Sequence, residues 1–434
     1  MKSPAKRRHI STPVPAADSI TALLSRDPVD VVALRRIALQ PGGFLNNDLR
    51  RRVWPKILGV DVFDLPKCER CQSVLPCKCL VSTYKDQIWL DTERSLWKMS
   101  MGERQTIRAH QREQLFRIIN CVLARNPALC YYQGYNDVCS VLQYVCGSRS
   151  AVAIAEKLSA TLLAAPHEKT FATVQGVMEL IFTLIRIADP ELSAFLTASG
   201  VPMHFALAHV ITWFSHHYDT PPLHTAARLF DVFLVSHPLT PVYVTAAMVL
   251  QPGVRSALLG GGIACEMSAV HGLLSRMAEP SPEELEVVPR ALALTHKLTI
   301  PILPLRHPPT HPHPHLTQVI IARALALQHD HPPALHLATL HLPPGHPYLT
   351  YPGYPWRQIT RQPPDHIQQA AAAHRVAVTN RIAAQMSPLQ QAVTPLSSAS
   401  SPGIATTPSI SSNGTNSLRR RAPRTLTLDP GHMY

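Results

Sequence analysis

The stretch Gln111-Arg112-Glu113-Gln114-Leu115-Phe116-Arg117-Ile118-Ile119-Asn120-Cys121-Val122-Leu123-Ala124 sets the fold class. Leu115, Ile118, Ile119 and Val122 fall at i, i+3, i+4 and i+7, the spacing of one apolar helix face. Asn126-Pro127 stops that helix, because the residue before a proline is pushed out of the helical region. The same period recurs on both sides. Upstream it covers Val29, Val32, Leu34, Ile37 and Leu39, broken by Gly42-Gly43, and then a short helix over 49–59 that buries Trp54 and Leu58 and is interrupted by Pro55. Downstream it predicts helices at about 136–146, 151–164, 171–187, 190–199, 203–217, 223–236, 240–250, 266–278 and 282–297. Nothing between 27 and 300 reads as a sheet, so the expectation is an all-α domain of many helices.

Composition divides the chain of 434 residues. About half of its 41 prolines fall after residue 300, where His307-Pro308-Pro309-Thr310-His311-Pro312-His313-Pro314-His315 opens a low-complexity region. A single helix is expected there at about 316–329, with a second, isolated one at 364–387. The expected organisation is a basic disordered leader over 1–26, a helical domain over 27–300 with a cysteine-bearing insertion at 61–82, and a His/Pro- and Ser/Thr/Pro-rich tail over 301–434. The formal charge of +13 sits at the ends. Removing the 15 Lys/Arg and 4 Asp/Glu of the two ends from the totals of 41 and 28 leaves 26 against 24 for residues 27–300. A nearly neutral folded part argues against a nucleic-acid interface, which carries its basic patch on the folded surface. Basic tails fit a peripheral contact with an acidic membrane. No run approaches 18 consecutive apolar residues, so no transmembrane span is expected. No apolar stretch follows the basic N-terminus as a secretory signal needs. Nine cysteines read as reduced thiols rather than a disulfide framework.

Two strings flanking the long helix carry chemistry. Ile88-Trp89-Leu90-Asp91-Thr92-Glu93-Arg94 has the spacing I-x-x-D-x-x-R, and Tyr131-Tyr132-Gln133-Gly134-Tyr135-Asn136 reads Y-x-Q-G. A guanidinium neutralises charge on a transferring phosphoryl group, and a neutral amide can orient the attacking water. The chain has no G-x-x-x-x-G-K-[ST] loop to hold phosphates itself. Both groups would therefore be supplied to a nucleotide held by another protein. Arg94 alone could be a surface arginine paired with Asp91 at i,i+3, worth about 0.2–0.5 kcal/mol. With the second string present, Asp91 reads instead as holding the guanidinium ready for phosphate. Tyr131 can pack beneath the Gln133 loop, and Gly134 allows a close approach. Tyr132 and Tyr135 read as packing or interface residues.

Cys68, Cys71, Cys77 and Cys79 form C-x-x-C-x5-C-x-C. Four thiolates could hold tetrahedral Zn²⁺. Their 12-residue span is cramped beside the usual paired ligands, so the sequence favours a reduced, untethered loop and no bound metal. The His/Pro tract would not pre-arrange metal ligands either.

Laid out in order, these strings resemble the TBC domain, the all-helical Rab GTPase-activating module, over roughly residues 40–298. Leu49-Arg50-x-x-Val53-Trp54 is similar to the family's opening R-x-x-W segment, Ile88-x-x-Asp91-x-x-Arg94 to its arginine-finger motif, and Tyr131-x-Gln133-Gly134 to its glutamine-finger motif. Trp213-Phe214 and Arg228-Leu229-Phe230-Asp231 resemble its later landmarks; Trp213, Phe214 and Asp231 read as structural, the carboxylate bound to Arg228 or to a helix N-terminus. The runs Ile211-Thr212-Trp213-Phe214 and Ser236-His237-Pro238-Leu239 are similar to a subtype that acts on Rabs of the early secretory pathway and is anchored in the endoplasmic reticulum by a C-terminal helix. No such anchor is found in the sequence.

The resemblance implies a GTPase activator that completes a Rab's active site and is not a hydrolase by itself. Arg94 and Gln133 would be catalytic, with Asp91, Ile88, Tyr131 and Gly134 in support. It would need no cofactor, since GTP and Mg²⁺ belong to the GTP-bound Rab. The expected location is cytoplasmic, peripheral to endoplasmic reticulum or Golgi membranes. The rival readings are a TBC-fold scaffold that binds a GTPase without accelerating it, and a tail-driven membrane or nucleic-acid adaptor.

Overall fold

Tyr135–Ser159, kinked at Gly147, is the longest helical run among the described residues of the computed structural model, which are 17–26, 28–95, 105–218, 223–277 and 313–350. The order of helices is α1 Ala17–Leu24, α2 Val31–Leu39, α3 Asn47–Leu58, α4 Lys85–Arg94, α5 Gln105–Arg125, α6 Tyr135–Ser159, α7 Ala172–Ala188, α8 Pro190–Ser199, α9 Leu207–Ile211 and α10 His224–Phe233. Then come α11 Thr240–Val249, α12 Pro252–Leu259, α13 Met267–Ser275, α14 His313–Asp330, α15 Ala334–Leu337 and α16 Pro347–Thr350. No strand occurs among the described residues; a lone antiparallel bridge pairs Lys67 with Val74. The protein is all-α.

Two helical groups form around α6 and α11. The first packs α3 and α5 on α6. In the second, α7 and α14 pack on α11, every residue of which is buried. α10 touches α2, α3 and α6 on one side and α14 on the other, so it joins the groups. Its buried face of Phe230 and Phe233 meets Trp54 and Trp213: Trp54 stacks on Phe230 at 5.8 Å, and Trp213 meets Phe230 edge-on at 5.2 Å.

One buried carboxylate ties the sequence landmarks together. Asp231 of α10 is 0% exposed and accepts from Arg50 Nε and Nη2 at 3.0 Å each, from Trp54 Nε1 at 2.9 Å and from the Phe44 amide at 3.2 Å. Arg228, the partner expected from sequence, instead donates to the carbonyls of Ala38 and Gln40. The reason is geometric. Arg50 and Trp54 lie one turn apart on α3 and converge on a single side chain, whereas Arg228 reaches past it to the end of α2.

Several local expectations change. Pro55 does not interrupt α3; it lies buried inside the run, with Trp54, Ile57 and Leu58 around it. Burial worth ~1.5–3 kcal/mol per large apolar side chain outweighs the ~3 kcal/mol penalty of an interior proline. Asn46 caps the start of α3 by accepting from the Leu49 amide, and left-handed Gly59 closes its end. The predicted 203–217 helix is a short 3₁₀ turn plus α9, ended by Trp213 and Phe214 at φ +52° and +64°. α12 forms where the apolar spacing predicts no helix.

α6 is long and apolar enough to cross a membrane, with mean hydropathy 1.3, although it holds no run of 18 consecutive apolar residues. Its apolarity matches its place: it is packed between α3 and α5, and Gly147 breaks it at φ +77° near the predicted division. The larger revision concerns residues 313–350, expected as part of a tail. Ile320, Ile321, Ala324 and Gln328 of α14 are buried against the helical domain. Gln328 bonds Thr240 at 3.1 Å, Tyr243 donates to the His331 carbonyl at 2.6 Å, and His237 bonds the Tyr348 carbonyl at 3.1 Å. The expected disordered leader is corrected at its end, where residues 17–24 form α1 and bury Ile20 against α2 and α3; its first 16 residues, the 282–297 and 364–387 helices and the tail beyond 350 lie outside the described residues.

Candidate catalytic site

Ile88, Asp91 and Arg94 recur at three-residue steps on α4 and differ steeply in exposure. Ile88 is fully buried and anchors the helix, Asp91 is 5% exposed, and the Arg94 side chain is 70% exposed. The Asp91 carboxylate is divided between the two sequence motifs. Its Oδ1 accepts from Arg94 Nη2 at 2.6 Å, and its Oδ2 accepts from the Tyr131 hydroxyl at 2.8 Å. Arg94 Nε also donates to the Leu90 carbonyl at 3.3 Å, so the guanidinium is held at two points on its own helix. Its Nη1 has no protein partner among the described residues. Burial first, and then the Asp91 charge, push the Tyr131 hydroxyl above its usual range, which keeps it protonated and a donor.

A second link runs between residues that sequence reasoning gave no role. Ser95 closes α4 and donates through Oγ to the Asp91 carbonyl at 2.7 Å. Asn136 Nδ2 donates to that same Ser95 Oγ at 2.7 Å, while Asn136 Oδ1 accepts the Gly134 amide at 3.0 Å. The end of the arginine helix and the glutamine loop are thus bonded twice. Asn136 stood inside the quoted string, but nothing in its spacing points to Ser95.

Gln133 sits on the tip of this loop. It is exposed, between buried Tyr131, Tyr132 and Gly134, and its amide makes no hydrogen bond among the described residues. The loop is docked from below. Tyr132 donates to the Ile211 carbonyl at 3.0 Å, and the ring of His167 meets Tyr132 and Tyr135 edge-on at 4.9 and 4.6 Å. His167 also exchanges bonds with Cys130, its Nδ1 lying 2.8 Å from that carbonyl. Gly134 has φ +107°, and a Cβ there would stand 2.7 Å from Thr212 Cγ2. Both facts require glycine. Thr212 is held by the turn that Trp213 and Phe214 close, so a landmark distant in sequence supports the loop. Beside Arg94, Trp89 and Leu90 of α4 are large apolar side chains exposed at 47% and 59%.

The cysteine insertion folds into a tight turn ahead of α4. The sulfurs of Cys68, Cys71, Cys77 and Cys79 all lie within 4.8 Å of one another, not spread along a free loop as the sequence suggested. The His/Pro tract up to residue 312 is outside the described residues.

Residues 47–252 match the Rab-GTPase-TBC domain family. Human TBC1 domain family member 20 is 37% identical over 263 residues, which cover 60% of this chain and 62% of that protein. The GTPase-activating protein gyp10 of Schizosaccharomyces pombe is 33% identical over 226 residues, 51% of this chain and 57% of its own length. The chain thus spans somewhat under two thirds of the length of these relatives. The two motif strings, Asp231 and the Trp213-Phe214 turn fall inside the matched region, over which the chain is similar to the Rab-GTPase-TBC domain family.

Proposed function

We propose that this protein is a GTPase-activating protein for Rab-family GTPases, supplying Arg94 and Gln133 in trans to a bound GTP. The observation that carries the reading is the shared Asp91 carboxylate, bonded at once to Arg94 and to Tyr131 of the glutamine loop. A guanidinium held by a buried acid loses less freedom when it meets phosphate oxygens. Its planar fork can engage those oxygens at two points. The Gln133 amide, without a hydrogen bond among the described residues and set on a braced loop, orients the water for in-line attack. Exposed Trp89 and Leu90 give the finger helix an apolar contact for the GTPase. GTP and Mg²⁺ arrive with the Rab. Similarity to the early-secretory subtype supports action between endoplasmic reticulum and Golgi, from the cytoplasmic side, with the basic ends making a peripheral membrane contact.

The test is single-turnover GTP hydrolysis across a panel of Rabs at saturating activator. One or more Rabs should be accelerated by wild type, and Arg94→Lys should lose about 10³–10⁵ of that stimulation while still binding. A Rab whose own glutamine is replaced by alanine should still respond to wild type but not to Gln133→Ala. Near-normal stimulation by Arg94→Lys would overturn the finger role. Binding without acceleration by wild type would make the protein a scaffold.

A further inference from the structure

We propose that Cys68, Cys71, Cys77 and Cys79 form a structural tetrathiolate zinc site that braces the entry to α4. Zinc–sulfur bonds of about 2.3 Å at the corners of a tetrahedron place the sulfurs roughly 3.8 Å apart. All four sulfurs here already lie within 4.8 Å of one another. Cys68 and Cys71 are brought to one side by a tight turn, in which the Cys68 amide donates to the Ser73 carbonyl at 2.9 Å and the Gln72 amide donates to the Cys68 carbonyl at 2.8 Å. Gln72 adopts φ +56° within it. The Lys67–Val74 bridge closes the hairpin and returns the chain to Cys77 and Cys79. The short C-x5-C spacing is therefore spanned by a hairpin, which removes the objection that its length raised.

Charge agrees with a dianionic centre. Four thiolates and one Zn²⁺ carry a net −2, and between Pro66 and Leu80 stand Lys67, Arg70 and Lys78 against Glu69, a net +2. Arg70 donates to the Cys79 carbonyl at 3.3 Å. The packing core of this region is otherwise thin: Cys68, Leu75 and Cys77 are buried in it, while Glu69, Arg70, Cys71, Gln72 and Ser73 are exposed. A segment with so few apolar contacts needs another source of order, and a metal supplies it as folding free energy.

The site is tied to the arginine helix. The Cys77 amide lies 3.5 Å from Cys121 Sγ of α5, and the Ser82 amide donates to Asn120 Oδ1 at 2.9 Å. Tyr84, the residue before α4, has its ring 6.3 Å from that of Tyr131. Zinc would thus fix where α4 begins.

Full-length protein carrying no affinity tag of histidines is purified under reducing conditions and its metals are measured by mass spectrometry. Stoichiometric zinc, one ion per chain, is expected in wild type. It should be lost in Cys71→Ser and in Cys79→Ser, chosen because these are the less buried pair, so that the fold survives. Co²⁺ alone, exchanged into wild type, should give the ligand-field and thiolate charge-transfer bands of a tetrahedral tetrathiolate. Chelation should lower the unfolding temperature of wild type but not of the serine variants. The proposal is overturned by wild type without stoichiometric zinc, by zinc retained in both variants, by an iron–sulfur spectrum, or by a disulfide among these four cysteines under the same conditions.

Discussion

At the scale of single residues, two buried carboxylates do different work. Asp231 holds structure. Its charge is met by Arg50 and Trp54 across 181 and 177 residues of chain, and all three side chains are buried. Removing it leaves the Arg50 cation unpaired in the core, so Asp231→Ala should cost about 3–5 kcal/mol. Urea unfolding would measure this, and an unchanged midpoint would contradict it. Asp91 serves the proposed finger. Tyr131→Phe keeps the ring but strips Oδ2 of its donor, which should cost about 1–3 kcal/mol. Stimulated hydrolysis should fall with it, though by less than in Arg94→Lys, because the Arg94–Asp91 pair survives. A Tyr131→Phe protein as stable and active as wild type would show that the hydroxyl bond is idle.

At the scale of elements, the glutamine loop depends on the turn beneath it. Gly134→Ala meets two obstacles: a left-handed φ and a Cβ 2.7 Å from Thr212 Cγ2. The loop must shift, so stimulated hydrolysis should drop while the Arg94–Asp91 pair stays intact. Thr212→Ser removes the offending methyl and should recover the steric part of the loss in the double variant, leaving the part owed to φ. No recovery at all would place the whole effect in the backbone. The C-terminal elements make a second case. Truncation before α14 uncovers the buried face of α11, including the partner side of Thr240 and Tyr243. Chains ending at residue 312 should unfold at markedly lower temperature or aggregate, which thermal melts and light scattering would detect. Equal stability would mean that α14 merely rests on the domain.

The molecule as a whole buries histidines that must stay neutral. Burial lowers His167, His237 and His336 to about 4 and His209 to about 3, from 6.5. A base whose pKa is depressed on folding binds more protons when unfolded, between the two values. Stability from these groups is therefore complete above about pH 6.5 and is lost as pH falls toward about 4. Each such histidine can account for roughly 3 kcal/mol at the acid end. The unfolding temperature should fall steeply across that window, and His237→Gln should flatten the slope. His167 links this loss to the site, since its ring packs under Tyr132 and Tyr135, so stimulated hydrolysis should fail in the same range.

The amino-acid order by itself determined the all-α class, the position of most helices and the two motif strings around Arg94 and Gln133. Each of these rests on local spacing, three to seven residues within one turn or loop, and local spacing is written in sequence. Tertiary structure alone decided the rest. Asp231 chose Arg50 over its neighbour Arg228 because α3 and α10 cross where they do. Ser95 and Asn136 met because two helix ends face each other. The His/Pro-flanked segment at 313–350 became core because α11 offered an apolar face that its own composition does not announce. The four cysteine sulfurs converged because a hairpin folded a spacing that looked too short. In every case the deciding contact joins residues far apart along the chain or turns on backbone geometry, and neither has a period that a sequence can show.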